Sequence, residues 1–214
     1  MIALATSIIA GATSCKDKLT GDKTDKPDET IIPIDPRAVD LGLSVKWANV
    51  NLGADEAGAP GQYFQWGYIT PTSTGSAANY KYYSGGDTPP EKLSGIEQDA
   101  ATSMWGSPWR MPTEDDFNEL LNNCTWTPET IGDRKGFRVS GNGNSIFLPF
   151  GGALIEGFLM IDNSQGNFWT STLYSASEAG HPSAMAWRFA ISDNQKFLSE
   201  IDGHVGMSIR PVQP

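Results

Sequence analysis

One stretch of the chain decides its fold, and it reads MWGSPWRMPTEDDFNELLNNC over residues 104–124. Its second half predicts a helix, because Thr113 can cap the first turn and Asp116, three residues later, can complete a capping box. Pro112 prevents that helix from continuing upstream. Apolar side chains at helical spacing then predict one stripe facing a core. That stripe consists of Phe117, Leu120, Leu121 and Cys124.

The first half of this stretch predicts a tight turn that holds two indole rings, those of Trp105 and Trp109. Leaving two large aromatic rings in water is unfavourable. We therefore expect the rest of the domain to pack around this turn.

The composition limits the classes of function. The chain has 214 residues and a formal net charge of −10. That length suits one domain with a tail, and seven Trp, nine Phe and six Tyr supply bulk for its core. The negative charge argues against nucleic acid as a partner, because phosphate groups would be repelled.

The N-terminus predicts a targeting segment. Residues 2–12 are apolar and rich in small side chains, too short to span a membrane but typical of a signal-peptide core. Cys15 follows small residues, as in a bacterial lipobox, so we expect residues 1–14 to be cleaved and Cys15 to be lipidated, which attaches the chain to a membrane. An ordinary secretory signal with an incidental Cys15 is the alternative.

Residues 15–36 are expected to be a flexible tether, because charged residues dominate them and bury too little apolar surface to fold. Residues 37–214 are then the folded domain. Its second cysteine, Cys124, lies at the C-terminal end of the predicted helix. There we expect a small buried hydrophobe rather than a nucleophile, which would need a nearby His and a helix N-terminus.

The rest of the domain predicts mainly strands. Asp99 can cap a short helix that ends at Gly106. Residues 141–144 predict a hairpin turn. Residues 68–96 form a long excursion, and polar loops follow Thr172 and Ile191. The predicted strands cover 45–50, 62–67, 136–140, 145–148, 166–172, 184–191 and 206–212.

Six blocks of sequence carry a family resemblance. They are VDLGLSVKWA (39–48), YFQWG (63–67), WRMPT (109–113), GNSIFLP (143–149), FWTST (168–172) and SIRPV (208–212). Their order and spacing resemble the major paralogous domain of Fibrobacter succinogenes, which is abundant in surface lipoproteins of gut Bacteroidetes. The resemblance implies an α+β, C-type-lectin-like domain with short antiparallel strands and one or two helices. It also implies that the ligand-facing segment lies between Trp169 and Arg210.

The sequence carries no recognised catalytic motif. It lacks a nucleophile elbow, a zinc-protease helix, a phosphate loop and a Cys-x-x-Cys pair. It also lacks the tripeptides that hold calcium and sugar in true C-type lectins. His181 and His204 have no local metal spacing, so we expect neither a metal nor a cofactor. The acidic residues offer pairs for glycoside hydrolysis, but nothing marks out one pair.

These observations favour a non-catalytic binding module on the outer membrane, facing the cell surface, with a glycan or protein ligand; a periplasm-facing orientation is the alternative. A structural or assembly subunit and a polysaccharide-acting enzyme are the alternative functions. The predicted ligand-binding residues are Tyr174, Glu178, His181, Arg188, Asp193, Lys196 and His204. Phe197 and Trp187 belong to the same segment, although Trp187 is expected to be core. Because these residues are expected to be loop residues, the loss of Arg188 and Lys196 should weaken binding without lowering the melting temperature.

Overall fold

The predicted helix is present as α2, Glu114–Asn123, in a computed structural model that describes residues 35–177 and 181–214. The Thr113 hydroxyl accepts a hydrogen bond from the Asp116 amide at 3.1 Å, and the Asp116 carboxylate accepts one from the Thr113 amide at 2.6 Å. The capping box is thus confirmed. Phe117 and Leu120 are fully buried on the inner face of the helix.

The short helix α1, Ala100–Trp105, also lies where the sequence predicts it. The Asp99 carboxylate caps it by accepting from the amides of Ala101 and Thr102. Gly106 ends it at a φ of 80°, a conformation that a side chain would oppose. A 3-10 turn at Ala77–Asn79 lies in the long excursion.

The described residues also form eleven strands, and the seven pairings between these strands are antiparallel. They form four small sheets, with the orders β1-β2-β11, β3-β4-β5, β6-β7 and β10-β9-β8. The strands are β1 Ala38–Val39, β2 Lys46–Ala48, β3 Thr125–Ile131, β4 Arg134–Gly141, β5 Asn144–Pro149, β6 Ala153–Ile155, β7 Phe158–Met160, β8 Gln165–Ser175, β9 Met185–Ser192, β10 Lys196–Asp202 and β11 Val212–Gln213.

The expected α+β, C-type-lectin-like class is wrong. Within the described residues, 40% lie in strands or isolated bridges and only 11% in helices, so the fold is rich in sheet. That class came from the family resemblance, whereas the predicted elements other than α1 and α2 were strands. The sequence did not predict strands β1, β3, β6, β7 and β10, because a strand is stabilised by partners that are distant in sequence.

The core consists of two clusters rather than a shell around the indole turn. One contains Trp66 and Trp169, and the other contains Trp47 and Phe117. The turn lies beside them, with Trp105 only partly buried against the first cluster. Trp109 and Met111 of the turn are buried, and Met111 belongs to the first cluster, so the domain does cover the turn, although the turn is not the centre of the core.

The start of the described chain also contacts that turn. The Asp35 carboxylate accepts a hydrogen bond from Trp109 Nε1 at 3.0 Å. The Arg37 guanidinium lies 4.2 Å from the ring centroid of Trp105, and its hydrogen bond holds the pKa of Asp35 well below the usual range. Of the predicted tether, 15–36, the structure describes only residues 35 and 36. The signal peptide and Cys15 lie outside the described residues.

Arg210 joins three distant segments inside the domain. Its guanidinium is fully buried and donates to Asn51 Oδ1 at 2.7 Å, Ala48 O at 2.9 Å and Phe147 O at 2.7 Å. All three acceptors are neutral. Burial lowers the pKa of this side chain, because no partner charge offsets its loss of solvent.

Candidate functional site

The three-stranded sheet β8-β9-β10 carries most of the predicted ligand-binding residues. Side chains alternate between the two faces of a strand. Trp187 and Met185 of β9 therefore share one face, and their partners on β10 are Glu200 and Asp202. Arg188 lies on the other face, where its β10 partner is Ser199.

An open depression of about 740 Å³ lies on this sheet, next to Met185 of β9 and Glu200 of β10. We call it the β9 depression. It is lined by Tyr174, Ser175, His181, Met185 and Glu200. Two predicted site residues, Tyr174 and His181, thus meet in one concave surface.

Tyr174 gives the depression an aromatic wall. Its side chain is 51% exposed. The ring meets Trp187 edge to face, with centroids 5.4 Å apart and planes at 83°, a geometry that aromatic pairs favour. Trp187 is half-buried rather than core, so part of the indole remains accessible.

Both histidines meet at Ser183, behind the rim of the depression. His181 Nδ1 lies 3.3 Å from the Ser183 carbonyl oxygen and 3.7 Å from Asp202 Oδ1. His204 Nδ1 lies 3.3 Å from Ser183 Oγ. Ser183 is buried, and His204 also lies against Tyr80, with ring centroids 6.3 Å apart, so His204 does not line the depression.

Arg188 does not reach the β9 depression. It donates to Asn167 Oδ1 on β8 and, at 3.2 Å, to Ser199 Oγ on β10. Phe197 covers the guanidinium, with the ring centroid 6.0 Å away. Burial lowers the pKa of Arg188, partly offset by Glu200. These contacts join the three strands of the sheet.

Asp193 and Lys196 contact neither the β9 depression nor Arg188. Asp193 Oδ2 is 3.6 Å from Lys135 Nζ. Lys196 Nζ lies 4.4 Å from the ring centroid of Phe137 and 5.7 Å from that of Trp126. Lys196 begins β10, whereas the β9 depression lies towards its end. Glu178 lies outside the described residues.

Sequence reasoning missed Glu200, Asp202 and Met185. It treated the segment after Ile191 as a polar loop, whereas residues 196–202 form β10. A usable signal was present, because Asp193 and Asn194 are typical turn residues between two strands. A hairpin at that turn would have placed Glu200 opposite Trp187.

A second depression lies in the long excursion and has a volume of about 310 Å³. We call it the Lys81 depression. It is lined by Gly67, Tyr68, Ile69, Thr70, Lys81, Glu97 and Gln98. Lys81 Nζ lies 5.0 Å from the ring centroid of Tyr68 and 4.7 Å from that of Tyr82. The ammonium group is thus already engaged with two aromatic faces.

Cys124 is poorly placed as a nucleophile. It is half-buried at the C-terminal end of α2. Burial, with a smaller contribution from Glu119, raises the pKa of its thiol, which disfavours the reactive thiolate.

Two searches of the described residues for other kinds of site return nothing. Residues 35–177 and 181–214 contain no group of three or more His, Cys, Asp or Glu side chains that could hold a metal ion. The same residues include no helix that is long and apolar enough to cross a membrane.

Comparisons with protein-family models, with curated proteins and with solved structures return no match for this chain.

Proposed function

We propose that this protein is a non-catalytic binding module that takes a glycan ligand at the β9 depression. The observation that carries the proposal is the exposed Tyr174 ring, held edge to face against Trp187 beside the Glu200 carboxylate and the His181 imidazole. Apolar and aromatic walls with a few convergent polar groups are typical of ligand sites.

The lining fits the two kinds of surface that a sugar presents. The C–H face of a pyranose ring is apolar and can stack on the face of Tyr174 or Trp187. The hydroxyl groups at its edge can donate to Glu200 and exchange hydrogen bonds with Ser175 and His181. An open depression of this kind also admits a chain of sugars that continues beyond the site.

The site is held by strands rather than by a mobile loop. Met185 and Trp187 lie on β9, and Glu200 lies opposite Trp187 on β10. Ser175 is the last residue of β8 and pairs with Met185. A rigid first shell reduces the conformational entropy that binding would otherwise cost.

The proposal places this module on the outer surface of a bacterial cell. The signal-peptide pattern, the lipobox at Cys15 and the charged tether support that location, and so do the six sequence blocks that resemble the Fibrobacter family. A tether between lipid and domain would hold the β9 depression away from the bilayer.

A glycan and protein array probed with the purified chain tests the proposal. We expect glycans to bind, and we expect Tyr174→Ala and Glu200→Gln each to lower the affinity about tenfold or more, as for an anchor residue of an interface. Lys81→Ala is the matched control and should leave binding unchanged. Each variant should keep the melting temperature of the parent chain.

Other outcomes reject parts of this proposal. Loss of binding in Lys81→Ala but not in Tyr174→Ala moves the site to the Lys81 depression. Binding to proteins but to no glycan rejects the ligand class. Release of reducing sugar from a bound glycan, lost in Glu200→Gln, shows an enzyme.

A further inference from the structure

The hairpin of β6 and β7, which comes just before β8 in the chain, exposes four consecutive large apolar residues. Strands β6 and β7 pair around a turn at Glu156 and Gly157. The exposed fractions are 71% for Phe158, 44% for Leu159, 47% for Met160 and 44% for Ile161. Isolated exposed apolar residues are ordinary, but a run of four marks a contact surface.

The outer edge of β7 has free backbone groups. Leu154 of β6 exchanges both of its backbone hydrogen bonds with Gly206, at 2.8 Å each. Leu154 and Leu159 are therefore a non-hydrogen-bonded pair, and the N–H and C=O of Leu159 point away from β6. Among the described residues β7 pairs with β6 alone.

The outer edge of β7 lacks the features that usually prevent an exposed strand edge from pairing with another chain. Soluble proteins place Lys, Pro or a bulge on an exposed strand edge, or cover it. Residues 158–161 contain no charge and no proline. The edge is thus open to another strand.

The turn after β7 keeps the apolar run outside. Ile161 has a φ of 51°, which β-branched residues rarely adopt. Its carbonyl oxygen accepts from the amides of Ser164 and Gln165 and from the Ser164 hydroxyl. These bonds fix the backbone of Ile161, so its side chain stays at the surface.

We propose that β7 is a self-association edge, on which a second copy of this chain adds its own β7 in antiparallel orientation. The two-fold axis passes beside Leu159, so the two Leu159 residues exchange their free N–H and C=O groups. A contact that uses the same patch on both copies closes as a dimer.

The register that this axis sets is self-complementary. Phe158 lies opposite the partner's Met160, and an aromatic ring beside a thioether sulfur is a favourable pair. Ile161 lies opposite the partner's Gly157. A Cβ atom added at Gly157 would meet nothing within 4 Å, so space is open there for the isoleucine.

The two ends of the edge carry acidic residues, which face each other in this register. Glu156 lies opposite the partner's Asp162. The Glu156 carboxylate accepts from Ser76 Oγ at 2.7 Å and from the Ala77 amide at 3.0 Å. Asp162 forms an ion pair with Arg134. Each acid that flanks the edge is thus already held by hydrogen bonds or an ion pair within its own copy.

The small surface area that two β7 edges can bury against each other predicts a weak dimer. Two strands of three residues with four apolar side chains each bury less than the roughly 1,200 Å² of a standard interface. We expect a dissociation constant in the micromolar range or higher, so the fraction of dimer should depend on protein concentration. A lipid anchor at Cys15 would raise the local concentration of copies.

Sedimentation velocity of the purified chain, from about 10 μM to about 1 mM to bracket a weak interface, tests the association. The wild-type chain should shift from monomer to dimer. Phe158→Lys with Met160→Lys should remain monomeric at every concentration, because charge on the edge opposes pairing. Ile69→Lys with Ile96→Lys is the matched control, since these residues are comparably exposed elsewhere, and it should dimerise like the wild type.

Cysteine cross-linking tests the register. In a background with Cys15→Ser and Cys124→Ser, Leu159→Cys should oxidise to a covalent dimer, because facing Cα atoms about 5.5 Å apart suit a disulfide. Phe158→Cys should cross-link much less, since its opposite residue is the partner's Met160. A wild-type chain that stays monomeric throughout overturns the proposal, as does a dimer that survives the double lysine change. Equal cross-linking at 158 and 159 overturns the register.

Discussion

At the scale of single residues, Arg210, which is fully buried, and Arg188, which is half-buried, show how this domain holds positive charge away from water. Arg210 satisfies its guanidinium with two backbone carbonyls and an amide oxygen. Arg188 uses an amide oxygen and a hydroxyl. Burying a charge without an ion pair is costly, so each arginine must make several hydrogen bonds. Both therefore join separate segments of the fold.

Arg188→Ala is predicted to destabilise the domain by about 1–3 kcal/mol, because Asn167 and Ser199 lose a buried partner. This replaces the expectation from sequence that removing Arg188 leaves the melting temperature unchanged. Urea unfolding measures the free energy, and the array ligand measures affinity. Tyr174→Ala is the matched comparison, with the opposite result: normal stability and weakened binding. If Arg188→Ala kept wild-type stability, the role of Arg188 in joining β8, β9 and β10 would be disproved.

Asp116 makes the stability of the domain depend on pH. Burial raises the pKa of this carboxyl, but hydrogen bonds from Arg110 and Thr113 outweigh it and lower the pKa below the usual value. In the unfolded chain the pKa is near 3.9, by the usual reference. The stabilisation is therefore complete above about pH 4 and is lost as the pH falls through the lower folded-state pKa.

Asp116→Asn should therefore cost stability at pH 7, on the order of 1–3 kcal/mol for a hydrogen-bonded charged group, and less at pH 2. Urea unfolding of wild type and variant at both pH values measures the difference. Asp115→Asn is the matched control in the same helical turn, where the side chain is exposed. A cost at pH 2 equal to that at pH 7 would contradict the role of the ionised carboxylate.

At the scale of elements, the sequence predicted best where the signal is local. Thr113, Asp116 and Pro112 define the start of α2 within five residues, and Asp99 and Gly106 define both ends of α1. The turn of the hairpin between β4 and β5 is predicted by the residue types at positions 141–144. Such features need no knowledge of the rest of the chain.

The elements that the sequence did not predict depend on partners. Residues 158–160 of β7 are continuously apolar, so no alternation marks a strand. Strand β10 follows a polar turn, and only its pairing with β9 explains the positions of Glu200 and Asp202. For the same reason Tyr174 and His181 reach one depression, while Arg188, Asp193 and Lys196 face other neighbours.

Leu120→Ala is predicted to cost about 2–5 kcal/mol, as for other buried leucines. Leu120 is fully buried in the second cluster, on the same face of α2 as Phe117. Leu121 is only partly buried, so Leu121→Ala should cost less. Denaturant unfolding of both variants tests whether Leu120→Ala lowers the free energy of unfolding more than Leu121→Ala does. A loss below about 1 kcal/mol at Leu120, typical of surface positions, would mean that α2 does not hold the core.

At the scale of the whole molecule, the small sheets depend on contacts between distant segments. Arg210 links residues 48, 51 and 147, and the Phe64 and Met207 backbones bridge across the domain. Near the start of the described chain, Asp35 and Arg37 contact the indole turn. Residues 35–37 thus hold the start of the described chain beside Trp105 and Trp109.

The location of the protein depends on Cys15. If Cys15 is lipidated, intact mass of the membrane-extracted protein should show a chain that begins at Cys15 and carries added acyl mass. Cys15→Ser should release the protein from the membrane fraction, because several acyl chains are needed for stable anchoring. Cys124→Ser is the matched control and should remain in the membrane, since Cys124 is half-buried in the domain. An unmodified Cys15 on a soluble chain would contradict the anchor, and the proposed binding site would then act in a secreted protein.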